Sequence, residues 1–414
     1  IITGGTMKKY AKPISLLLAL LIFAGLVSGC GSSEYAMTAN GEKYSAAPYA
    51  FYAYWYKDLW TTNLYLYTGS DDIDSKLSME ATSDGKTLKQ VIIDQTKEQY
   101  IFYTIINQKF KELGLSLTDK IKEQTDYEFK HNFIESYTED ELNNIYKTLG
   151  LSADEIKDIL EVNYKRQMII DHYFGKGGEK EISEETMKNS FENDYARFKY
   201  IAFAKTDNSG NALSTEKTLE KYNTVKDIIN QLNNGANFEE LIKKYSEAYV
   251  SNTDGFSDDE KKAAENLNEV LTLDGLIIGK DGTILQDYNY GSTSSVLDSQ
   301  LVNKVFALKD GEFSYVETDT GYWILKRCNI NEEERFYENC KDAIYNALLS
   351  EPYTELFESW KKDFDYTMNE KIVEKYSPEK ISALFYSRDK LQKTKTGTSD
   401  STESNKDAAA AEKK

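Results

Sequence analysis

Histidine and cysteine, the side chains most often used for metal binding and nucleophilic catalysis, are scarce in this chain of 414 residues. The histidines are His131 and His172, and the cysteines are Cys30, Cys328 and Cys340. The sequence contains no CxxC pair, no HExxH or GxSxG motif and no glycine-rich phosphate loop. We therefore predict no metal site and no cofactor. His172 follows two isoleucines in an apolar helical pattern, which predicts a structural role.

The charge of the chain excludes general binding of nucleic acids. The 50 Lys and Arg residues are outnumbered by 69 Asp and Glu residues, which gives a formal net charge of −19 at pH 7. Contacts to phosphates need basic patches, and an acid excess does not supply them. The charge favours solubility and cationic partners; the simpler interpretation is that acidic side chains only solvate the outer faces of helices.

The first thirty residues have the pattern of a secretory signal peptide. Three lysines precede an apolar run over residues 14–27 that is short for a bilayer span. The run leads into Ser28-Gly29-Cys30, which resembles the lipobox of bacterial lipoproteins. This resemblance implies removal of residues 1–29, lipidation of the Cys30 thiol and attachment to the outer face of the cell membrane. The alternative is a signal anchor with an incidental cysteine, and we expect the true start to be Met7.

Helical periodicity dominates residues 47–195, which follow a tether predicted over residues 30–46. The clearest helix spans residues 88–113. Ser152 and Glu155 have the spacing of a capping box, which predicts that another helix begins there. These patterns predict a helical domain.

Aromatic side chains are concentrated at residues 49–67. Tyr52, Trp55, Tyr56 and Leu59 are spaced as one face of a helix. We predict that this face belongs to the core of the domain. The alternative is an exposed aromatic patch that binds unfolded chains.

Strand and helix patterns are mixed from residue 196 to residue 330, which predicts an α+β protein. A polar segment without large apolar side chains, residues 388–414, predicts a disordered tail. The predicted strands span residues 198–204, 313–317 and 321–328. The predicted helices span residues 214–233, 238–245, 258–271 and 298–308, and helices return over residues 332–374.

Two stretches of the mixed region resemble the parvulin-type (PpiC) peptidyl-prolyl isomerases. Residues 235–246, GANFEELIKKYS, are similar to a characteristic helix of that family. Residues 305–325, VFALKDGEFSYVETDTGYWIL, are similar to its closing block. Upstream, residues 39–45 and 113–116 resemble segments of the helical chaperone domain in extracytoplasmic foldases of the PrsA and SurA type.

This resemblance implies a parvulin-like domain at residues 196–330 that is inserted into a helical chaperone domain of the SurA N-terminal type. The chaperone domain would consist of residues 47–195 together with C-terminal helices at residues 331–387. The implied function is that of a membrane-anchored, extracytoplasmic folding factor. Its implied partners are unfolded or newly exported polypeptides and, through the lipid, the membrane.

The parvulin family carries two histidines in its pocket, and these positions fall at Tyr200 and Trp323 in this chain. The family's small hydroxyl residue is retained as Thr320. Because both histidines are replaced, we expect isomerase activity to be weak or lost. The resemblance assigns the apolar wall of the peptide-binding pocket to three further residues, Leu297, Leu301 and Phe306.

Two other functions remain open on the sequence. One is an active prolyl isomerase whose pocket uses Tyr200, Thr320 and Trp323 in a different way. The other is a non-catalytic scaffold or binding lipoprotein. A solute-binding protein is disfavoured, because residues 47–195 lack the alternating strands and helices of that class.

The two cysteines that would remain free after lipidation also leave two alternatives. Cys328 ends a predicted strand, and Cys340 lies in a predicted helix. An exported protein can join them in a disulfide. Alternatively, the two thiols are buried separately as small apolar side chains.

Overall fold

The computed structural model confirms the predicted α+β class, because many helices are combined with two small antiparallel sheets. The lipidation candidate Cys30, the signal segment and almost all of the predicted tail lie outside the described residues. The structure describes residues 34–207, 209–285, 297–388 and 391.

The chain divides into two compact units. The first comprises the described residues up to Ile169 and from Phe357 onwards, and the second comprises Ile170–Leu356. Among the described residues, no helix combines the length and the apolar character needed to cross a bilayer. The helices are α1 (Ala46–Thr68), α2 (Leu88–Glu112), α3 (Asp119–Glu128), α4 (Glu139–Leu149), α5 (Ala153–Leu160), α6 (Val162–Phe174), α7 (Glu184–Asp194), α8 (Thr215–Asn233), α9 (Phe238–Tyr245), α10 (Asp258–Glu269), α11 (Ser299–Ala307), α12 (Glu334–Asp363) and α13 (Glu370–Lys375). The strands are β1 (Tyr35–Ala39), β2 (Glu42–Ser45), β3 (Tyr195–Ala204), β4 (Leu276–Gly279), β5 (Phe313–Glu317), β6 (Gly321–Cys328) and β7 (Tyr366–Met368).

The tether predicted over residues 30–46 is wrong in its described part, because β1 and β2 form there. β1 pairs with β2 on one side and with β7 on the other, and both pairings are antiparallel. Asn369, 334 residues along the chain, donates a hydrogen bond from its side chain to the Tyr35 carbonyl. The turn at Asn40-Gly41 is a local signal for the β1–β2 hairpin, because both residues have positive φ, whereas the pairing of β1 with the distant β7 leaves no local signal. β7 likewise interrupts the helical region predicted over residues 332–374.

The aromatic helix α1 is only partly buried. Tyr52 is 6% exposed, as predicted for a core residue. Trp55 and Leu59, on the same predicted face, are 40% and 43% exposed, so the prediction is wrong for them. The buried side of α1 is centred on Tyr49, whose ring makes an edge-to-face contact with Tyr100 at 5.6 Å. Because α1 carries aromatic side chains on more than one face, spacing alone does not identify the buried face.

The second unit is built on a four-stranded antiparallel sheet in the order β4-β3-β6-β5. Side chains alternate between its two faces. One face carries Ile201 and Ile324 and packs against α8 and α9. The other face carries Phe198 and Leu325 and packs against α11.

This unit extends beyond the predicted boundaries of residues 196 and 330. Met187 and Phe191 of α7 pack in one apolar cluster with Ile277 of β4 and Phe336 of α12. The chain segments on both sides of the sheet-forming region are therefore part of the same core. Residues 170–195 and 331–356 belong to this unit rather than to the helical domain to which the sequence assigned them.

Arg197, at the start of β3, is buried and joins two loop segments to the sheet. Its guanidinium donates hydrogen bonds to the carbonyls of Leu273 (3.1 Å), Asn329 (2.9 Å) and Asp274. It also forms an ion pair with Glu332 at 2.5 Å. A buried guanidinium is stable only when its donors are satisfied, so this arrangement fixes how both flanking loops meet the strand.

Cys328 and Cys340 are both buried free thiols, so the two are not joined in this structure. Cys328 ends β6, and Cys340 lies in the apolar cluster on α12. Burial raises the pKa of Cys328, and it raises the pKa of Cys340 to about 12. The neutral thiol is the form favoured by the fold.

We predict that neither thiol reacts with iodoacetamide in the native chain at pH 8. At that pH, a thiol with a pKa of about 12 is ionised in only about one molecule in ten thousand. Because the folded pKa of Cys340 is raised, its protonated thiol contributes to the stability of the fold. This contribution is complete below the unfolded pKa of about 8.5 and declines as pH rises above it. Peptide-resolved mass spectrometry with and without urea tests this. Fast native labelling, or recovery of a linked 328–340 peptide pair, would contradict it.

Candidate functional site

The pairing of β3 with β6 places Tyr200 and Trp323, the two positions that the sequence resemblance assigned to histidines, side by side. Tyr200 lies opposite Leu325, and Ala202 lies opposite Trp323, so all four side chains share one face of the sheet. The Tyr200 and Trp323 rings are tilted by 52°, with their centroids 5.4 Å apart. This separation is within the range of favourable aromatic contacts.

Helix α11 covers this face and supplies the apolar wall. Its N-terminal Asp298 cap accepts a hydrogen bond from the Gln300 amide at 2.7 Å, which fixes where the helix begins. Leu301 is buried, and Leu297 and Phe306 pack beside it. Tyr200 and Trp323 pack against the same cluster. The structure therefore brings together five of the six residues that the sequence assigned to the pocket.

Thr320, the sixth, does not belong to this apolar cluster. It lies in the turn between β5 and β6, where its hydroxyl is 3.1 Å from the Thr318 hydroxyl. Its carbonyl accepts a hydrogen bond from the Lys205 amide at 2.8 Å. These contacts indicate that Thr320 shapes the turn that leads into Trp323.

The sequence analysis missed further residues of the same cluster, among them two on β3, one on β5 and one on β4. Phe198 and Ala196 share the face of Tyr200 by strand alternation, and this period-two pattern could have identified them. Val316 and Ile278 reach the cluster from β5 and β4. Their place depends on strand pairing between distant segments, for which the sequence holds no local signal.

The polar groups at the cluster are few. Trp323 Nε1 is buried and has no hydrogen-bond partner in the described part of the chain. The Arg327 guanidinium lies 5.5 Å from the centre of the Phe306 ring, a cation–π contact at the edge of the cluster. Burial lowers the pKa of Arg327, and Asp310 opposes that shift.

Neither histidine belongs to this site. His131 lies in the first unit, where its Nδ1 is 2.8 Å from the Tyr127 carbonyl and its ring stacks on Tyr127 at 3.9 Å. His172, on α6, is exposed and makes an edge contact with Tyr173. Ile169 and Ile170, which precede it on the helix, are buried, whereas Asp171 and His172 face solvent.

The described cluster consists of aromatic rings and branched side chains, and Tyr200, Leu297, Phe306 and Trp323 within it are only partly buried. General acid–base catalysis would need a group that titrates near neutral pH. A site without such a group would act on a prolyl bond by favouring a twisted, less solvated peptide bond.

Comparisons with known proteins address the second unit directly. Residues 182–330 match the model of the family described as the PPIC-type PPIASE domain. The match ends at the predicted boundary of residue 330 and begins before the predicted residue 196, so it takes in α7. No curated protein matches the chain.

Among solved structures, the chain is similar to three foldase proteins. PrsA from Streptococcus pneumoniae is 15% identical with a TM-score of 0.28, over 66% of this chain and 85% of that one. PrsA from Bacillus subtilis is 18% identical with a TM-score of 0.20, over 78% and 99%. PrsA from Lactococcus lactis is 14% identical with a TM-score of 0.29, over 83% and 100%. TM-scores below 0.5 give these similarities no weight for the arrangement of the whole chain.

We predict that Trp323→Phe changes the free energy of unfolding by less than about 1 kcal/mol. The smaller ring keeps much of the packing, and removal of the unpartnered Nε1–H relieves a desolvation cost of about 1–3 kcal/mol. Trp323→Ala, as the matched truncation, should cost about 2 kcal/mol because the ring is only partly buried. Urea unfolding followed by circular dichroism measures both. Equal losses in the two variants would show that the indole N–H has a partner that stabilises the fold.

Proposed function

We propose that this chain, whose residues 182–330 form a PPIC-type peptidyl-prolyl isomerase domain, is an extracytoplasmic folding factor anchored to the cell membrane. Its substrates are non-native polypeptides, and its isomerase activity is weak or lost. The observation that carries this proposal is the contact between the rings of Tyr200 and Trp323 in the apolar cluster, at the two positions that the sequence resemblance assigns to histidines.

The energetics of prolyl isomerisation explain why the proposed site would keep its binding and lose most of its catalysis. The barrier to rotation about the peptide bond is about 18–20 kcal/mol and arises from amide resonance. A positioned acid or base typically contributes a factor of about 10²–10⁴ to a rate. The resemblance places Tyr200 and Trp323 where the family carries histidines, so we expect that factor to be lost, while the partly buried aromatic and branched side chains around them would still contact a proline or another apolar side chain.

The proposed location depends on the sequence before residue 34. Cys30 ends a signal-like segment, and Gly31-Ser32-Ser33 after it is polar. A diacylated cysteine carries two chains, which is enough for stable anchoring. Such a lipid would hold the folding factor where exported chains emerge.

We predict that the purified chain does not accelerate refolding of a substrate limited by prolyl isomerisation, yet suppresses aggregation of a chemically denatured enzyme on dilution. The physical reason is that apolar side chains can bind a substrate without a titrating group, whereas acid–base catalysis needs one. Refolding rates and light scattering measure the two effects, with Trp323→Ala as the control. Acceleration that is lost in Trp323→Ala would show a rebuilt active site. Absence of both effects would favour a scaffold.

We predict that Cys30→Ser abolishes incorporation of radiolabelled palmitate and moves the chain from the membrane fraction to the soluble fraction of bacterial cells. The serine hydroxyl cannot form the thioether that carries the diacylglyceryl group. Cys340→Ser, which removes a buried thiol instead, should keep both the label and the membrane location. Retention of Cys30→Ser in washed membranes would indicate a signal anchor.

A further inference from the structure

The four-stranded sheet of the second unit ends in β4 on one side and in β5 on the other. The chain covers β4, because the Leu285 amide donates a hydrogen bond to the Ile277 carbonyl at 2.9 Å and the Gly279 amide donates one to the Thr283 carbonyl at 2.8 Å. Within the described residues, no segment pairs with the outer side of β5. An edge strand of this kind offers backbone donors and acceptors to another extended chain.

A hydrogen bond just beyond β5 shows which of its backbone groups face outward. The Thr318 amide donates to the Gly321 carbonyl at 2.9 Å. Hydrogen-bonded pairs alternate along an antiparallel ladder, so every second residue of β5 bonds to β6. The residues between them, Phe313, Tyr315 and Glu317, direct their amides and carbonyls away from the sheet.

The strand β5 also lacks the features that usually protect an edge. Proteins block such edges with lysine, with proline or with a bulge. The five residues of β5, Phe-Ser-Tyr-Val-Glu, include neither lysine nor proline, and their pairing with β6 has no register shift. The backbone is therefore accessible to strand addition, a mode by which several kinds of domain bind extended peptides.

On the α8 side of the sheet, β5 adjoins an aromatic groove. The groove has a volume of about 370 Å³, and its lining includes Leu219, Tyr222, Glu317 and Tyr322. The ring of Tyr315 lies 6.2 Å from those of Tyr222 and Tyr322. Leu219 is 57% exposed although it lines the groove. A strand paired with β5 would place every second side chain beside these apolar groups.

On the α11 side of the sheet, β5 adjoins the apolar cluster of the proposed prolyl site. Val316 lies opposite Trp323 in the ladder, and both pack in that cluster. The remaining side chains of an added strand would point to this side, next to Val316. A polypeptide on β5 would thus be held alongside the apolar cluster, with its backbone fixed by the sheet.

The charge near β5 indicates which kind of segment fits. Residues 310–319 contain four acidic side chains and no basic one. Hydrogen bonds from Lys205 at 2.7 Å and from Tyr315 at 3.0 Å lower the pKa of Glu317, so its carboxylate is ionised at neutral pH. None of the described residues that line the aromatic groove is basic. Two copies paired through β5 would bring like charges together, whereas a basic segment would complement them.

We propose that β5 binds an extended, basic segment of a non-native polypeptide by strand addition, with alternate apolar side chains in the groove beside Tyr315. The inference rests on the proposed function and names the class of segment that the PPIC-type domain holds. The backbone of this segment pairs with the outward amides and carbonyls of β5. Its lysine or arginine side chains lie near the acidic residues at the two ends of the strand.

The first test measures hydrogen exchange of single backbone amides in the full chain by NMR. The probe is an octapeptide in which lysine alternates with valine or tyrosine. Without peptide, the amides of Tyr315 and Glu317 should exchange at least about tenfold faster than those of Ser314 and Val316, which bond to β6. Saturating peptide should slow the two outward amides about tenfold and leave the two inward ones nearly unchanged.

Two variants at one position separate the backbone contact from the contact of the ring. Tyr315→Pro removes the outward amide, and the fold tolerates this because that amide makes no hydrogen bond within the sheet. Tyr315→Ala removes the ring and keeps the amide. Peptide anisotropy should show dissociation constants raised about tenfold in Tyr315→Pro and about threefold in Tyr315→Ala. If Tyr315→Pro does not fold, the exchange measurement on the wild-type chain decides.

A second pair of variants tests the role of charge. Glu317→Gln keeps an acceptor for Lys205 and Tyr315 and should weaken peptide binding about threefold. Asp259→Asn is the matched control, because Asp259 is an exposed acid on α10 that does not line the groove. The control should change the dissociation constant less than about twofold. A peptide with glutamate in place of lysine should bind at least about tenfold more weakly than the basic one.

Three results would overturn the strand-addition proposal. They are peptide binding without protection of the Tyr315 and Glu317 amides, equal affinity for the acidic peptide, and protection without peptide in a chain that sediments as a dimer. The third would identify a second copy as the occupant. If any of them comes with suppressed aggregation of a denatured enzyme, the folding function stands. If the wild-type chain neither binds the peptide nor suppresses aggregation, both proposals fail.

Discussion

The antiparallel pairing of β3 with β6 is the interaction on which the second unit depends. Eight consecutive pairs run from Arg197–Cys328 to Ala204–Gly321. This register sends Tyr200 to one face of the sheet and Ile201 to the other. A slip of one residue would exchange the two faces, so the helix-packed core and the apolar site are fixed by the same register. A change of register would therefore alter the apolar site and the helix-packed core together.

The register is held at one end by a buried charge and at the other by a close backbone approach. Arg197 donates hydrogen bonds to loop carbonyls and to Glu332, and these contacts compensate for the loss of water around its guanidinium. At Gly321, an added Cβ would lie 2.6 Å from the Phe203 carbonyl oxygen. Only glycine allows β3 and β6 to approach at that point, two residues before Trp323. The aromatic site is thus positioned by backbone constraints as well as by packing.

Local patterns predicted most of the helices and strands of this unit. They predicted less well the strands that pair with a distant segment of the chain. The predicted bounds of β5 and β6 agree with the structure residue for residue, because alternation is bounded by a glycine turn at Gly311 and by the turn before Gly321. β1 and β7 were missed, since each is short and gains its stability from a partner at the other end of the sequence. The site residues Tyr200 and Trp323 came from family resemblance. Their contact depends on register, which no local pattern contains.

The apolar cluster of the second unit combines aromatic rings with one buried polar atom, Trp323 Nε1, that has no hydrogen-bond partner among the described residues. Such an atom costs about 1–3 kcal/mol and is tolerated where a ligand can pair with it. Non-native polypeptides share apolar side chains and backbone polar groups, whatever their sequence. Under the proposed function, a site that offers these two contacts would recognise the unfolded state itself, and it would need no titrating side chain to do so.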